Sequence, residues 1–506
     1  MAFLTSVATA HGQQRPASAT PHPPPAAHAA PEEGPLLQVT IPGEAQLRYT
    51  AMTDLPLAVP PGIAGAAPNL GPNLFFEAWI RLRPRVTIGE HLRFQFSFDV
   101  ARLVVPDAAA DHVGLAREPR GDLFPYGPFD VREAYVAWDS PVGTFRLGQQ
   151  AFDWGFGLVA SGGDAAPTFG DYRHGDLVER LGFVARPGGR TSNVVLDLAA
   201  DVVYRDATAS LVDGDIALQG VASVYYQDHR CSTDCAAKRV GMLAMYRDVS
   251  FRTAEGTWLR TVTGDLFARW EWPTPDRLGR VFAGVEAAIT GGATSATVIR
   301  GAECDNVLAF GGVGRIGIER TDRYRVSLEA GWASGDNDPT NGVQRAFTFN
   351  PAHRVGLILF PELVAWDSAR SAAAAASGAT ARRLEPTNGA VRGAAYLYPT
   401  AVVNLGSHLD LRLGAVLATA TTDWVDPASP GFYGGARNAR GGDASRRDLG
   451  LELDAGLHAR FPLPGRFVLT GGIQGAILFP GAAFADATGL GLGRIAAGTA
   501  RIGAEF

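Results

Sequence analysis

Charged side chains that could attract and select an ionic solute stand at every second position of several apolar segments. In residues 92–100, Arg93 and Asp99 alternate with apolar residues, so both lie on the polar face of an extended chain. Charges of one sign that line a narrow passage attract the opposite ion and repel their own sign. The candidates for this role are Arg81, Arg83, Arg93, Asp99, Arg146, Arg180, Arg269, Arg315 and Arg412.

Three of these residues, Arg81, Arg83 and Arg93, are close in sequence and form the strongest basic patch for an acidic solute. The alternative role is structural, since charges of both signs can pair across neighbouring strands and hold a sheet together. Both interpretations stay open at this point.

Two cysteines, Cys231 and Cys235, are separated by three residues, and a third, Cys304, stands alone. A zinc site needs four good ligands, and His229 is the only obvious further ligand near the pair. The spacing therefore favours a small disulfide-closed loop in an oxidising compartment, with a reduced pair as the alternative. Cys304 is then a free thiol in a loop.

Two acidic clusters, 213–215 and 336–338, are rich enough in oxygen ligands to raise the question of calcium. Neither has the spacing of an EF-hand, and Asp, Asn and Gly equally form ordinary turns. We expect no metal and no cofactor, with Ca²⁺ as the less favoured alternative.

Histidines that could act as a general base are His174, His353 and His458. A hydrolase would also need a serine held beside the base, and the sequence has no G-x-S-x-G element. We expect no catalytic residue and no enzymatic activity.

A period of two in hydrophobicity begins near residue 45 and requires that these charged residues stand on extended strands. Residues 194–202, 409–413 and 451–458 repeat the pattern of 92–100, with charged residues on one face and apolar residues on the other. A soluble sandwich would show the same alternation with its apolar face inside. The connections between the strands distinguish the two folds.

Short turns alternate with long connections. The short turns lie at 89–91, 140–143, 187–190, 321–323, 406–408 and 462–465, and the long connections at 56–73, 106–128, 156–176, 335–389, 426–447 and 480–490. One end with tight turns and the other with long loops is typical of outer-membrane barrels. The pattern predicts an all-β fold, a transmembrane antiparallel up-and-down β-barrel of about 18 strands over residues 45–506, with about 16 strands as the alternative.

The composition agrees with a barrel. The mean hydropathy is +0.02, as expected where apolar and polar residues alternate, and no run of about 18 apolar residues indicates a spanning helix. The net charge of −6 disfavours nucleic acid as a partner. Trp138, Trp270 and Trp272 lie beside short turns, which is typical of an aromatic girdle at a membrane interface.

The last segment, 498–506, alternates apolar and polar residues and ends on Phe506. A closed barrel benefits from such a strand, because its last strand pairs with its first. The ending resembles the C-terminal signal of outer-membrane barrel proteins of Gram-negative bacteria. This resemblance implies an outer-membrane location, contact with outer-membrane lipid and recognition of the last strand by the barrel-assembly machinery.

The N-terminal region differs from the rest of the chain. Residues 1–10 contain a short apolar stretch that ends in an A-x-A cleavage pattern, and we interpret them as a signal-peptide remnant. Residues 11–44 are rich in Pro and Ala, and we expect a disordered periplasmic leader there.

Three segments resemble known barrel families. Residues 145–157 look like the R-x-G-x-Q…G element of porin-like barrels. Residues 331–339, followed by 347–351, are similar to the alginate-export family, which has the phrase A-S-G-D-x-x-P and then a Phe-Asp/Asn-Pro element. The resemblance implies a monomeric barrel, rather than a trimer, for export or diffusion. The family's lumen is crowded with basic residues, whereas this chain carries as many acids as bases on its polar face.

The longest connection contains a segment, 343–366, that is too apolar for a loop in water. We predict that it folds over or into the barrel mouth as a lid or constriction. The alternative is that part of it extends the wall as an additional strand pair. The lid candidates are Phe347, Phe349, Phe360 and Trp366.

These features together predict an outer-membrane channel or exporter for a small or polymeric hydrophilic solute, with an anion or a polysaccharide as the favoured class. The alternatives are a barrel that serves as a surface-interaction or structural protein and, with less support, a barrel-embedded hydrolase.

Overall fold

The computed structural model describes most of the chain. The described residues are 37–61, 68–69, 73–106, 129–170, 175–189, 191–228, 237–252, 256–296, 304–377 and 384–506. The predicted signal-peptide remnant, most of the predicted leader, His174 and the pair Cys231 and Cys235 lie outside them.

Strands dominate the described chain. The first ten are β1 (Leu37–Thr40), β2 (Gly43–Met52), β3 (Asn73–Leu82), β4 (Arg85–Ile88), β5 (Leu92–Pro106), β6 (Phe129–Ser140), β7 (Gly143–Ala151), β8 (Leu177–Ala185), β9 (Val194–Arg205) and β10 (Ile216–Gln227). The others are β11 (Ala237–Ser250), β12 (Trp258–Pro273), β13 (Gly279–Thr294), β14 (Asp305–Arg320), β15 (Tyr324–Ala333), β16 (Val343–Gln344), β17 (Ala394–Asn404), β18 (Leu409–Ala420), β19 (Asp448–Pro462), β20 (Val468–Pro480) and β21 (Ile495–Glu505).

Helical segments lie in the connections. They are a π-helical turn (Leu359–Val364), α1 (Ala365–Ser377), α2 (Ser429–Tyr433) and a 3₁₀ turn (Ala482–Phe484). Among the described residues, no helix is both long and apolar enough to cross a bilayer.

The strands form one closed antiparallel barrel of 18 wall strands, which confirms the predicted fold. Two wall strands are each interrupted once, so β1 with β2 and β3 with β4 count as one strand each. The two-residue β16 only adds to the end of β14 and is not counted as a wall strand. The last strand closes the wall against the first, from Glu44 opposite Glu505 to Met52 opposite Ala497. Gly43 and Phe506 also exchange backbone hydrogen bonds of 2.8 and 2.9 Å.

The wall begins at Leu37 rather than at residue 45. β1 pairs with β4 along its whole length, from Leu37 opposite Ile88 to Thr40 opposite Arg85. Pro42 and Pro84 stand at the interruptions of the two wall strands, where proline cannot donate a ladder hydrogen bond. The last residues of the predicted disordered leader, 37–44, are therefore ordered, because they pair with neighbouring strands of the wall.

The two faces of the wall differ as the alternation predicts. Mid-strand apolar residues such as Leu198, Leu266 and Ile473 are 54 %, 60 % and 59 % exposed on the outer face. Charged and hydroxyl residues such as Asp201 and Thr263 are buried on the inner face. The outer face is thus an apolar surface that a soluble protein would not leave in water.

Aromatic side chains lie near both rims of the outer face. Trp138 stacks on Phe145 at the end with short turns, with ring centroids 5.6 Å apart. Phe310 and Trp332 are 4.9 Å apart at the end with long connections. We call these two ends the turn end and the loop end.

Two long connections fold into the interior of the barrel. We call the described residues 152–170 and 175–176 inner loop A, and the described residues 334–377 and 384–393 inner loop B. Apolar residues of inner loop B form one buried cluster with inward-facing wall residues such as Tyr398, Val416 and Leu478. Phe152 and Trp154 of inner loop A belong to a second cluster with Val195, Leu243 and other wall residues. The loops thus fill part of the lumen at the loop end.

Candidate functional site

Inner loop A is held by two carboxylates of the wall. Glu286 of β13 accepts hydrogen bonds from the backbone N–H groups of Phe156 and, at 3.1 Å, Leu158. Asp265 of the neighbouring β12 accepts a 2.7 Å hydrogen bond from the indole N–H of Trp154. Because this part of the loop is buried, its N–H groups need such acceptors.

The turn at Gly155 makes this arrangement possible. Gly155 has a φ of +62°, in the left-handed region that glycine adopts readily. A Cβ atom at this position would also lie 2.4 Å from Oε2 of Glu286. Only glycine therefore fits between the turn and the carboxylate.

A carboxylate on another part of the wall holds inner loop B in the same way. Glu452 of β19 accepts hydrogen bonds from three consecutive backbone N–H groups, those of Leu357, Ile358 (2.9 Å) and Leu359 (2.7 Å). Gly356 precedes them with a φ of +69°. Successive N–H groups that converge in this way form an anion-binding nest, which the carboxylate of Glu452 fills.

The two inner loops also bind each other. The backbone N–H of Asn350 donates to the carbonyl of Leu158 at 2.8 Å. The ring of His353 lies between them, with Nδ1 3.1 Å from the carbonyl of Phe156 and Nε2 3.0 Å from Glu329 of the wall. The loops and the wall therefore form one connected packing unit.

Aromatic rings of the inner loops pack against inward-facing glycines of the wall. Added Cβ atoms at Gly311 and Gly284 would lie 2.5 Å from the ring of Phe347 and 2.4 Å from the ring of Phe156, respectively. The wall glycines therefore provide space that the loop rings occupy.

The predicted lid residues all lie in buried positions of inner loop B. Phe347, Phe349, Phe360 and Trp366 are at most 5 % exposed. The alternative of a wall extension holds only for β16, whose two residues pair in parallel with Asn306 and Val307. Whether the segment gates passage remains a prediction.

Most of the predicted selectivity residues pair with the wall. Arg81 is fully buried and donates to Asp99 at 2.6 and 2.9 Å. The other contacts are Arg83 with Glu44 (2.8 Å), Arg93 with Asp139 (3.7 Å), Arg180 with Asp201 (2.7 Å), Arg269 with Glu271 (2.6 Å) and Arg315 with Glu329. Arg412 donates to the carbonyl of Thr168 in inner loop A at 3.0 Å, and Arg146 lies within electrostatic range of Asp197.

These contacts favour the structural interpretation for the patch of Arg81, Arg83 and Arg93. Each of the three guanidinium groups has a carboxylate beside it, so the patch offers little net positive charge to an acidic solute. A role in selectivity for the nine residues remains a prediction.

A cavity of about 410 Å³ lies at the loop end, between the inner loops and the wall. Its volume is in the range of small-molecule sites, about 300–1,000 Å³. The charged lining residues are Asp176, Asp206, Asp336, Asp367, Asp423, Asp426, Glu385, Arg247 and Arg392. Hydroxyl groups of threonines and the rings of Phe152, Phe251, Phe347 and Phe349 complete the lining. The cavity is therefore acidic, with apolar surface beside its polar groups.

Asp176, the last residue of inner loop A, lies where the two inner loops meet at this cavity. Its Oδ2 accepts hydrogen bonds from the backbone N–H of Ser161 (3.1 Å) and the side-chain amide of Asn350 (2.7 Å). Burial and the nearby Asp206 carboxylate raise the pKa of Asp176 to about 8. This aspartate is thus a firmly positioned acid whose pKa lies well above that of an exposed carboxyl group.

Asp426 and Asp367, two further acidic residues of the cavity lining, belong to the connections at the loop end. Burial raises the pKa of Asp426 above its ordinary value, and Ser371 of α1 donates a hydrogen bond to it. Burial likewise raises the pKa of Asp367, whose partner is Arg440 at 2.9 Å. These acids connect α1 to the neighbouring loop-end connection 421–447.

The acidic clusters considered for calcium act as turn residues. Asp338 accepts hydrogen bonds from the backbone and hydroxyl of Thr340, at 3.0 and 2.6 Å. Asp215 accepts a 3.0 Å hydrogen bond from the backbone of Arg252. Over the described residues, no group of three or more His, Cys, Asp or Glu side chains is arranged to hold a metal ion.

The described histidines have partners within the barrel. His353 contacts Glu329 and Tyr396, and His458 lies 3.9 Å from Asp410. Neither hydrogen-bonds a serine within the described part of the chain. Cys304 is exposed at the start of β14.

The sequence analysis missed Glu286, Asp176 and Asp206. Glu286 occupies an inward position of an alternating strand, as its neighbours Ala288 and Thr290 do. Glu286 accepts hydrogen bonds from a turn of inner loop A, and the sequence signal for that turn is the pair Gly155 and Gly157. Glycines that flank one residue in a buried loop often mark a left-handed turn.

Comparisons with known proteins give structural likeness only. No family description and no curated protein matches the sequence. Three similar solved structures are proteins of Pseudomonas aeruginosa. They are the outer membrane protein OprD (9 % identity, 92 % of this chain and 93 % of that chain, TM-score 0.49), OpdK with vanillate (10 %, 92 % and 98 %, TM-score 0.47) and OccK11 (11 %, 92 % and 96 %, TM-score 0.47). A likeness this distant transfers no function to this chain.

The contact between Gly311 and Phe347 gives a test of how the inner loop is held. We expect Gly311→Leu to displace the Phe347 ring and increase trypsin cleavage after Arg345 in inner loop B, measured by mass spectrometry of the fragments. Gly314→Leu is the matched control, because an added Cβ at Gly314 meets no atom within 4 Å. Equal cleavage rates in the two variants would contradict the proposed packing.

The Glu452 nest gives a second test. Replacing Glu452 with Gln leaves one acceptor oxygen for three amides and introduces a competing NH₂ group, which costs about 1–3 kcal/mol. We expect the amides of residues 357–359 to exchange with deuterium about tenfold faster or more. Glu505→Gln at the turn end is the control, since Glu505 contacts Arg460 at 2.7 Å. Unchanged exchange in Glu452→Gln would show that the nest does not hold the loop.

Proposed function

We propose that this protein is a passive channel of the outer membrane of a Gram-negative bacterium, through which a hydrophilic solute diffuses. The observation that carries the proposal is the closed barrel, whose outer face is apolar at mid-strand and whose inner face is charged and hydroxylated. Only a bilayer provides a suitable surrounding for an apolar outer surface of this extent. Closure leaves no free sheet edge, as a spanning β-structure requires.

The inner loops support a channel that selects its solute. Inner loops A and B narrow the lumen from the loop end, and carboxylates of the wall hold both of them. A loop that folds inward lines the passage with its own side chains and sets the width and polarity that a solute meets. We propose that residues 343–366 act as a constriction of this kind.

The charge of the lumen differs between its two ends. Near the turn end, Arg269, Arg325 and Arg412 lie on the inner face, and the contact of Arg269 with Glu271 shows that acids accompany them. Near the loop end, the cavity has seven acidic residues and two arginines. The proposed anionic or polysaccharide solute is supported by the arginines alone. The acidic cavity favours a cationic or neutral solute at the loop-end entrance.

Partners and assembly follow from the proposed location. The apolar outer face would contact outer-membrane lipid, and the last strand, β21, would be the element that the barrel-assembly machinery recognises. The protein is proposed to be a monomer. A role as a surface-interaction or structural protein is the competing function, and conductance distinguishes it from a channel.

Two substitutions test whether the outer face meets lipid. Leu266 lies at the middle of β12 on the outer face, and we expect Leu266→Arg to lower the free energy of unfolding in lipid vesicles by about 2–4 kcal/mol. Val142 is 69 % exposed in the turn between β6 and β7, so Val142→Arg should change the stability by less than about 0.5 kcal/mol. Unfolding is measured by denaturant titration of vesicle-embedded protein. Equal small effects would contradict a membrane-spanning wall.

Conductance in planar bilayers tests the channel. We expect discrete conductance steps in KCl, and a larger single-channel conductance when residues 343–366 are replaced by a short Gly-Ser linker. Shortening the exposed tip 487–491 is the control and should leave the conductance unchanged. If the folded wild-type barrel carries no current, the channel is excluded and the structural role gains support. If the linker variant conducts like the wild type, the segment is not a constriction.

A further inference from the structure

The carboxylate of Asp176 has one occupied and one free oxygen. Both of its side-chain hydrogen bonds, from Ser161 and Asn350, end on Oδ2. Within the described part of the chain, Oδ1 accepts no hydrogen bond. The residue is only 7 % exposed, and it lines the loop-end cavity. An acceptor of this kind, fixed by its neighbours and facing a cavity, can accept a hydrogen bond from a ligand in that cavity.

The groups around Asp176 indicate the charge of that ligand. Asp206 lies within electrostatic range of Asp176, and the Asp206 carboxylate accepts hydrogen bonds from the backbone of Thr208 and Ala209 and from the side chain of Arg247. Arg247 also donates to Gln219 through Nε and Nη2, so these two nitrogens are used by Gln219 and Asp206. Two carboxyl groups therefore share one guanidinium group, and the site carries an excess negative charge once Asp176 is ionised.

The remaining lining indicates the shape of the ligand. Phe152 at the start of inner loop A and Phe349 beside Asn350 line the same cavity as Asp176. Aromatic faces attract cations as well as apolar groups. The cavity volume of about 410 Å³ leaves room for a ligand with one ring and a short polar head.

We infer that the loop-end cavity binds a compact organic cation whose N–H groups donate to Oδ1 of Asp176 while its apolar part contacts Phe152 and Phe349. The inference deepens the proposed function by naming the class of solute that the entrance selects. It rests on that function only for the consequence that the bound cation is a transported solute. Binding itself can be measured on detergent-solubilised protein without any conduction.

Three isosteric probes test the inference: benzamidinium (cation), benzamide (neutral) and benzoate (anion). Calorimetry on the full-length wild-type protein at pH 8.5 should show binding of benzamidinium that is at least about tenfold tighter than that of benzamide, as a charge-assisted hydrogen bond predicts. Benzoate should not bind. Equal affinities for benzamidinium and benzamide, or preferential binding of benzoate, would overturn the inference.

Asp176→Asn should weaken benzamidinium binding by about tenfold or more. Asp423→Asn is the matched control, because Asp423 lines the same cavity but has a side chain that is 38 % exposed and pairs with Arg447 at 2.7 Å. The KCl conductance and the resistance to unfolding in SDS show whether each variant is folded. If folded Asp176→Asn keeps the wild-type affinity, or Asp423→Asn loses as much, the assignment to Asp176 is wrong.

The pH profile provides an independent readout. The charged groups that face Asp176 are Asp206, which follows β9, and Arg247 of β11, whereas Ser161 and Asn350 carry no charge. Since burial and the Asp206 carboxylate raise the pKa of Asp176 to about 8, its ionised fraction rises between pH 6.5 and pH 9. Benzamidinium stays protonated over this range, so its affinity for the wild type should rise with pH, and its affinity for Asp176→Asn should not. A flat wild-type profile would contradict binding through this carboxylate.

The two proposals fail separately. A wild-type protein that conducts KCl but binds no benzamidinium would retain the channel and lose the cation site. A protein that binds benzamidinium through Asp176 but carries no current would retain the site and lose the channel.

Discussion

The interior of this barrel depends on the capture of buried backbone N–H groups by carboxylates of the wall. Inner loops A and B enter a lumen where water cannot satisfy every backbone group, and an unsatisfied buried donor costs about 1–3 kcal/mol. Glu286 and Glu452 accept two and three of these donors, respectively. Each carboxylate gains several hydrogen bonds in place of its lost hydration, so the loop and the buried charge stabilise each other.

This constraint explains the glycines of the loops and of the wall. Gly155 and Gly356 adopt left-handed backbone conformations next to the carboxylates, where a Cβ atom would collide with Glu286 or Glu452. Wall glycines such as Gly311 leave room for the loop rings. The hydrogen bonds thus fix where each loop enters, and the ring contacts fix how closely it packs against the wall.

The same packing produces the charge pattern of the lumen. Most of the candidate arginines of the wall form ion pairs with neighbouring carboxylates, as Arg81 does with Asp99 and Arg180 with Asp201. Where the inner loops meet at the loop end, Oδ1 of Asp176 accepts no hydrogen bond from the described residues, and acidic residues outnumber arginines in the cavity lining. The residues of greatest interest for the selection of a solute are therefore those of the inner loops, rather than the regularly alternating residues of the wall.

The sequence alone determined the barrel, because the wall follows from local rules. A period of two places Arg93 and Asp99 on one face, and the alternation of tight turns with long connections orders the strands as neighbours along the chain. The 18 wall strands and the inward position of the charged candidates were predictable for that reason. The apolar character of 343–366 also predicted that this segment would be buried, and its aromatic residues are buried.

Only the tertiary structure decided which charges are paired and which remain free. Arg83 and Glu44 pair because the two strands are neighbours in the closed wall, although they are far apart in sequence. Asp176 meets Asn350 only because inner loops A and B fold into the same lumen from different parts of the wall. Contacts of this kind depend on the three-dimensional path of irregular loops, for which the sequence carries no periodic signal. The alternation of residues thus fixes the face on which a side chain lies, and the packing of the loops decides what it binds.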